Sequence, residues 1–238
     1  MKTIVITGAT SGIGLALVKA YLSEGHQVFA CGRNMASLDA LAHTRLTPLS
    51  FDIGDKQAVL AACSQLPAID IAILNAGSCE YIDDAKHFDS ALFERVIHTN
   101  LIALGYCLEG LLPKLGKHSQ LSLMGSSASY LPFSRAQAYG SSKAAVGYLA
   151  RSLALDLKAH HIEVSVICPG FVKTPLTDKN DFAMPMLITS EEAAQYIYKG
   201  INKHKKEIHF PYKFTLLLKL LAMLPNWCWE KLAMRMST

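Results

Sequence analysis

A chain of 238 residues is long enough for one α/β domain with a sizeable core. Its 51% hydrophobic and 18% charged residues place it on the apolar side of folded domains, and its net charge of +4 is modest. No dense Lys/Arg stripe interleaved with aromatics occurs, which argues against nucleic acid as a partner; six cysteines without a C-x-x-C pair argue against a zinc site or a disulfide framework and for reduced thiols in a cytoplasmic protein.

In chain order, Thr3-Ile4-Val5-Ile6-Thr7 predicts a short buried strand, so close to the start that no signal peptide is expected before it. Gly8-Ala9-Thr10-Ser11-Gly12-Ile13-Gly14 follows, then an apolar-periodic helix over 12–24. Strand, glycine turn, helix is the context in which a loop binds a dinucleotide. Glycines at 8, 12 and 14 let the backbone turn tightly and approach a pyrophosphate, and the helix start offers unpaired N–H groups to it. Further strands are predicted over 27–31, 46–51, 70–74, 120–124, 163–168 and 207–210, alternating with helices over 35–42, 56–65, 90–112, 135–160 and 190–202. Such alternation predicts a single-domain α/β fold of the Rossmann type: a doubly wound parallel sheet of seven strands with helices on both faces. Its ligand cleft lies beyond the carboxyl ends of the strands, where Gly8–Gly14, Gly32-Arg33, Asp52, Asn75–Gly77, Ser126 and Pro169–Thr174 all fall.

Tyr139 and Lys143 stand at i and i+4 in Ala138-Tyr139-Gly140-Ser141-Ser142-Lys143-Ala144, on one face of the helix predicted over 135–160. A nearby ammonium favours a phenolate, so the pair predicts a tyrosine whose pKa is drawn toward the working range.

Thr7-Gly8-x-x-x-Gly12-x-Gly14 together with Tyr139-x-x-x-Lys143 resembles the short-chain dehydrogenase/reductase family. The resemblance covers residues 1–210 and includes Asn75-Ala76-Gly77 after the fourth strand, Asn100 in the helix over 90–112, Ser126 at the end of the fifth strand, and Pro169-Gly170 with Thr174 after the sixth. It implies an oxidoreductase that interconverts a carbonyl and an alcohol by hydride transfer. The implied catalytic set is Asn100, Ser126, Tyr139 and Lys143. Tyr139 acts as general acid in reduction and base in oxidation, Lys143 depresses its pKa and holds the nicotinamide ribose, Ser126 steadies the substrate oxygen, and Asn100 holds a water that links Lys143 to solvent. Ser127 and His98 are expected to be structural.

The implied cofactor contacts are Gly8, Thr10, Ser11, Gly12, Ile13, Gly14, Arg33, Asp52, Ile53, Asn75, Ala76, Gly77, Tyr139, Lys143, Pro169, Gly170, Val172 and Thr174. The second strand ends Cys31-Gly32-Arg33-Asn34 without the acid that accepts from an NAD ribose. Arg33 suits a 2′-phosphate, so NADP(H) is preferred and NAD(H) is the alternative. Asp52 is expected at the adenine.

Residues 174–189 are expected to form a substrate lid; Leu176, Phe182, Met184, Met186 and Leu187 suit a small to medium, apolar carbonyl or alcohol substrate. Residues 211–238 form an apolar C-terminal helical extension, too short to span a bilayer. It is read as a helix packed over the cleft or a second subunit, or as a peripheral membrane patch with Lys213, Lys219 and Lys231 at the headgroups. The family resemblance implies a homodimer or homotetramer through the helices over 90–112 and 135–160. The alternative function is a catalytically silent, cofactor-sensing or scaffold member of the family.

Overall fold

The computed structural model describes residues 1–236. Seven strands, β1 Thr3–Thr7, β2 Gln27–Gly32, β3 Leu46–Ser50, β4 Ile69–Leu74, β5 Leu115–Met124, β6 Glu163–Pro169 and β7 Glu207–Phe210, form one sheet. The order is β3-β2-β1-β4-β5-β6-β7, and every pairing is parallel. The helices are α1 Gly12–Ser23, α2 Ala36–Asp39, α3 Lys56–Ser64, α4 Ser90–Ile97, α5 Ala103–Leu111, α6 Gln137–Asp156, α7 Ser190–Asn202, α8 Tyr212–Leu221 and α9 Asn226–Met236.

Strand side chains alternate between two cores because their period is two. Ile4, Ile6, Val28, Ala30, Ile71 and Ile73 face α1 and α7, meeting Leu17, Val18, Tyr21, Ile197 and Ile201. Val5, Phe29, Cys31, Ala72 and Leu74 face α3, α5 and α6, meeting Val59, Leu104, Leu108, Val146 and Ala150. Both faces are covered, which is why these strands read as unbroken apolar runs rather than alternating ones. All six cysteines are free thiols.

Local chemistry sets the helix starts. Asp55 caps α3 by accepting from Gln57 N and Ala58 N, and Asp89 caps α4 through Leu92 N at 2.9 Å. Thr189 and Glu192 form a reciprocal capping box at α7.

The elements differ from the sequence expectation in five places. The helix expected over 90–112 is interrupted by a π-turn at His98–Ile102 that contains Asn100. The helix expected from 135 begins at Gln137, because Arg135 takes the left-handed conformation at φ +65°. The helix expected over 35–42 shrinks to α2, followed by Ala42 at φ +42°. Strand β5 starts at Leu115, with a register shift against β4 between Ile69 and Ile71. The C-terminal extension is two helices, α8 and α9, separated at residues 222–225 by a turn ending in Pro225, whose ring cannot continue a helix; its last two positions, 237 and 238, lie outside the described residues.

Ser90–Lys114 is long and apolar enough by composition to cross a membrane. In this fold it lies over the sheet and buries Val96, Asn100, Ala103, Leu104, Cys107, Leu108 and Leu111. α8 and α9 pack through Leu218 and Trp229 onto Leu131 and Phe133, and Trp229 Nε1 donates to Pro132 O at 2.7 Å. Lys219 Nζ donates to Glu207 Oε2 at 2.9 Å, and Tyr130 OH donates to the same carboxylate, so α8 is tied to β7.

Helix α7 approaches β7 closely at Gly200, where an added Cβ would lie 2.7–2.8 Å from three atoms of buried Ile208. Gly200→Ala is expected to lower stability by about 1–3 kcal/mol through overpacking, measured by urea unfolding.

Candidate active site

A cleft of about 1000 Å³ runs along the carboxyl ends of β1, β2, β4, β5 and β6. It starts at the glycine turn. Gly8 and Gly12 have φ of +62° and +50°, which side-chain-bearing residues rarely adopt. A Cβ on Gly14 would lie 2.0 Å from Gly8 O. No side chain caps α1 at Ser11, which leaves its first-turn N–H groups for an anion. Asn75 ties this turn to β4: its Nδ2 donates to Thr7 O at 3.0 Å and Gly8 O at 3.1 Å. Thr7 Oγ1 accepts from Asn75 N and Ala76 N in return. A cradle with no room for Cβ atoms, at a helix start, fits the pyrophosphate of a dinucleotide.

Gly8, Thr10, Ser11, Gly12, Ile13, Gly14, Arg33, Asp52, Ile53, Asn75, Ala76, Gly77, Ser126, Tyr139, Lys143, Pro169, Gly170, Val172 and Thr174 all line the cleft. Among the expected site residues, Asn100 stands apart. It is buried behind the wall, where Oδ1 accepts from Ser78 N at 2.7 Å and Nδ2 donates to Ser78 O and Ser142 Oγ, both at 2.9 Å. Its carboxamide clamps the backbone after Gly77. The π-turn is what puts it there, since an extra residue in the turn re-aims the side chain. Arg33 and Asp52 face each other, Nη1 to Oδ2 at 3.6 Å, and both are exposed. Asp52 Oδ1 accepts from Gly54 N at 2.8 Å, and the cap of α3 is Asp55.

Tyr139, Lys143 and Ser126 converge as their spacing predicts. Ser126 lines the cleft at the end of β5, and its Oγ accepts from Ala128 N at 3.1 Å. Lys143 is 4% exposed, and its Nζ donates to Met124 O at 2.9 Å. The electrostatics depart from the sequence expectation. Nζ lies 5.8 Å from the Tyr139 ring centroid, and burial dominates both groups. Burial pushes the tyrosine above its ordinary value, opposed only in part by a hydrogen bond from Ser126. Burial likewise lowers Lys143 to about 8. For the phenol, what is lost on leaving water outweighs the neighbouring charges.

The segment after β6, expected as a lid, is held by a residue that sequence reasoning missed. Arg135 donates from Nε to Asp83 Oδ1 at 2.8 Å, and through Nη1 and Nη2 to the two oxygens of Asp181 at 2.8 and 3.2 Å. Its guanidinium stands over Tyr81 at 5.7 Å, and Tyr81 meets Phe182 edge-on at 5.5 Å. Phe182 continues to Phe171 and Phe214. One arginine thus joins the segment after β4, the turn before α6 and the lid. Its partners lie 52 and 46 residues away, so no local pattern could have revealed it.

The short chain dehydrogenase family model matches residues 2–185. The chain is 30% identical to an uncharacterized oxidoreductase of Myxococcus xanthus, across 99% of this chain and 97% of that protein. It is 31% identical to a serine 3-dehydrogenase of Agrobacterium fabrum, across 84% and 81%. A short chain dehydrogenase from Burkholderia cenocepacia J2315, solved in complex with NADP, superposes with a TM-score of 0.86 at 21% identity, covering 100% of this chain and 98% of that one. The protein belongs to the short-chain dehydrogenase family. It is an enzyme of the nicotinamide-dependent oxidoreductase class, acting on a small molecule.

The Arg135 bridges are largely solvated, which limits what they contribute. Arg135→Ala is expected to loosen the segment after β6, read as faster proteolytic cleavage between residues 176 and 186.

Proposed function

We propose that the enzyme reduces a neutral, small to medium, apolar ketone or aldehyde with NADPH, and oxidises the corresponding alcohol in reverse. The observation that carries this reading is the convergence of Ser126, Tyr139 and Lys143 on one wall of the cleft that holds the glycine cradle. The bound nicotinamide supplies or accepts the hydride. Ser126 and Tyr139 hold the substrate oxygen between two hydroxyls. Tyr139 gives its proton to that oxygen as negative charge develops there, which suits a phenol held protonated by burial. Lys143, anchored at Met124 O, places a positive charge behind the phenol and favours the phenolate left after transfer. Asn100 acts by fixing the backbone at Ser78.

Cofactor preference rests on Arg33 and on the missing acid at the end of β2. The Burkholderia structure contains NADP, and a probable NADP-dependent dehydrogenase of Haemophilus influenzae is 29% identical across 86% of this chain. Substrate polarity rests on Val172, Pro175 and Leu176 at the cleft, and on the pairing of the nearby cations. Arg135 is held by Asp83 and Asp181, and Arg95 by Glu80. Neither is free to receive the carboxylate of a hydroxy acid or of serine. Exposed Tyr148 and Leu155 on α6 support pairing of two copies through that helix.

Tyr139→Phe is expected to lower carbonyl reduction by about 10²–10⁴-fold, followed by NADPH absorbance across a panel of ketones and aldehydes, with NADPH binding retained. Tight NADPH binding without turnover on any compound would instead indicate the sensing role. The Lys143 ammonium persists below its pKa and is lost above it. The reductive kcat/KM is therefore expected to fall as pH rises through about 8, and a rate flat across that range would remove Lys143 from the mechanism.

A further inference from the structure

We propose that the α8–α9 face docks on an anionic lipid surface. Helix α8 is apolar on its outer face as well as on the face that packs through Phe214, Leu218 and Leu221. Thr215 and Leu218 face the body, whereas Leu216, Leu217 and Leu220 face outward at helical spacing. The turn to α9 carries Met223 at 81% exposure beside exposed Leu224, where surface turns ordinarily place Gly, Asn, Asp or Ser. Trp227 follows at 58%. These six side chains form one continuous stretch of chain, far more apolar than scattered surface residues.

The charge around this face selects the occupant. Between Glu207 and Glu230 the chain contains no Asp or Glu; Lys219 in that stretch is paired with Glu207, which leaves Lys213 within it and Lys231 just beyond Glu230 as the cations beside the apolar face. Lys231 Nζ stands over the Trp227 ring at 5.1 Å. Apolar side chains flanked by Lys213 and Lys231, with an indole at the edge, complement anionic headgroups above acyl chains. Pairing with a second copy would set one cationic rim against another. The face also adjoins the cleft: Phe214 of α8 packs on Phe171 at 5.6 Å, and a Cβ on Gly170 would meet it at 2.8 Å.

The test is flotation of the full-length protein with phosphatidylcholine vesicles containing phosphatidylglycerol, against vesicles of phosphatidylcholine alone. Wild-type protein is expected to float with the anionic vesicles and to be released by high salt. The double variant Leu220→Glu, Met223→Glu is expected to bind at least about tenfold more weakly, and so is Lys213→Glu, Lys231→Glu. Both variants should keep NADPH binding, which reports an intact fold. Wild-type protein that stays with the unbound fraction on both vesicles overturns the proposal. So does sedimentation showing that the apolar-to-acid variant splits a wild-type oligomer, because the face would then be covered by another copy. Neither readout depends on carbonyl turnover, so failure of the reductase reading would leave this result standing.

Discussion

The site depends on a divergence between two neighbouring strands. β1 and β4 lie side by side, yet the helix after β1 covers one face of the sheet and those after β4 cover the other. Their outgoing chains part and leave a crevice at the carboxyl edge. What keeps the crevice shaped is the reciprocal bonding of Thr7 and Asn75, which satisfies four backbone groups at a point where the ladder ends. The glycine turn then rests on this bridge with no space for a Cβ at Gly14. Remove either condition and the phosphate cradle closes or opens, whatever the catalytic residues do.

Against that frame stands a buried cation. Removing an ammonium from water is costly, and Lys143 recovers only a hydrogen bond to Met124 O and weak attraction from neighbouring thiols. Placing such a group deep in the wall makes sense only if its charge is used. Tyr139, raised by the same burial, stays a proton donor at neutral pH. The fold thus brings the lysine down and the tyrosine up, and an ammonium and a protonated phenol meet in one dry corner.

Long-range contacts of a different kind tie the segment after β6 to the rest of the fold. Arg135 joins three loops, and an aromatic chain of Tyr81, Phe182, Phe171 and Phe214 runs from the segment after β4 through the lid to α8. Phe214 links that chain to the C-terminal helices, which Trp229 and Lys219 fasten to the body.

The sequence by itself determined the sheet, the glycine cradle and the convergence of Tyr139, Lys143 and Ser126. These follow from periodicity, turn chemistry and i, i+4 spacing, all short-range properties. Arg33 and the missing acid after β2 were legible for the same reason. Only the tertiary structure decided the environment of those groups. The Tyr139 and Lys143 shifts come from burial by distant segments, and the role of Asn100 from a π-turn that its helical pattern concealed. The Arg135 clamp comes from partners far along the chain, and the outward turn of Leu216, Leu217 and Leu220 from which side of α8 met the body. An apolar helix read alone does not say which face it buries; that is settled only when something else packs against it.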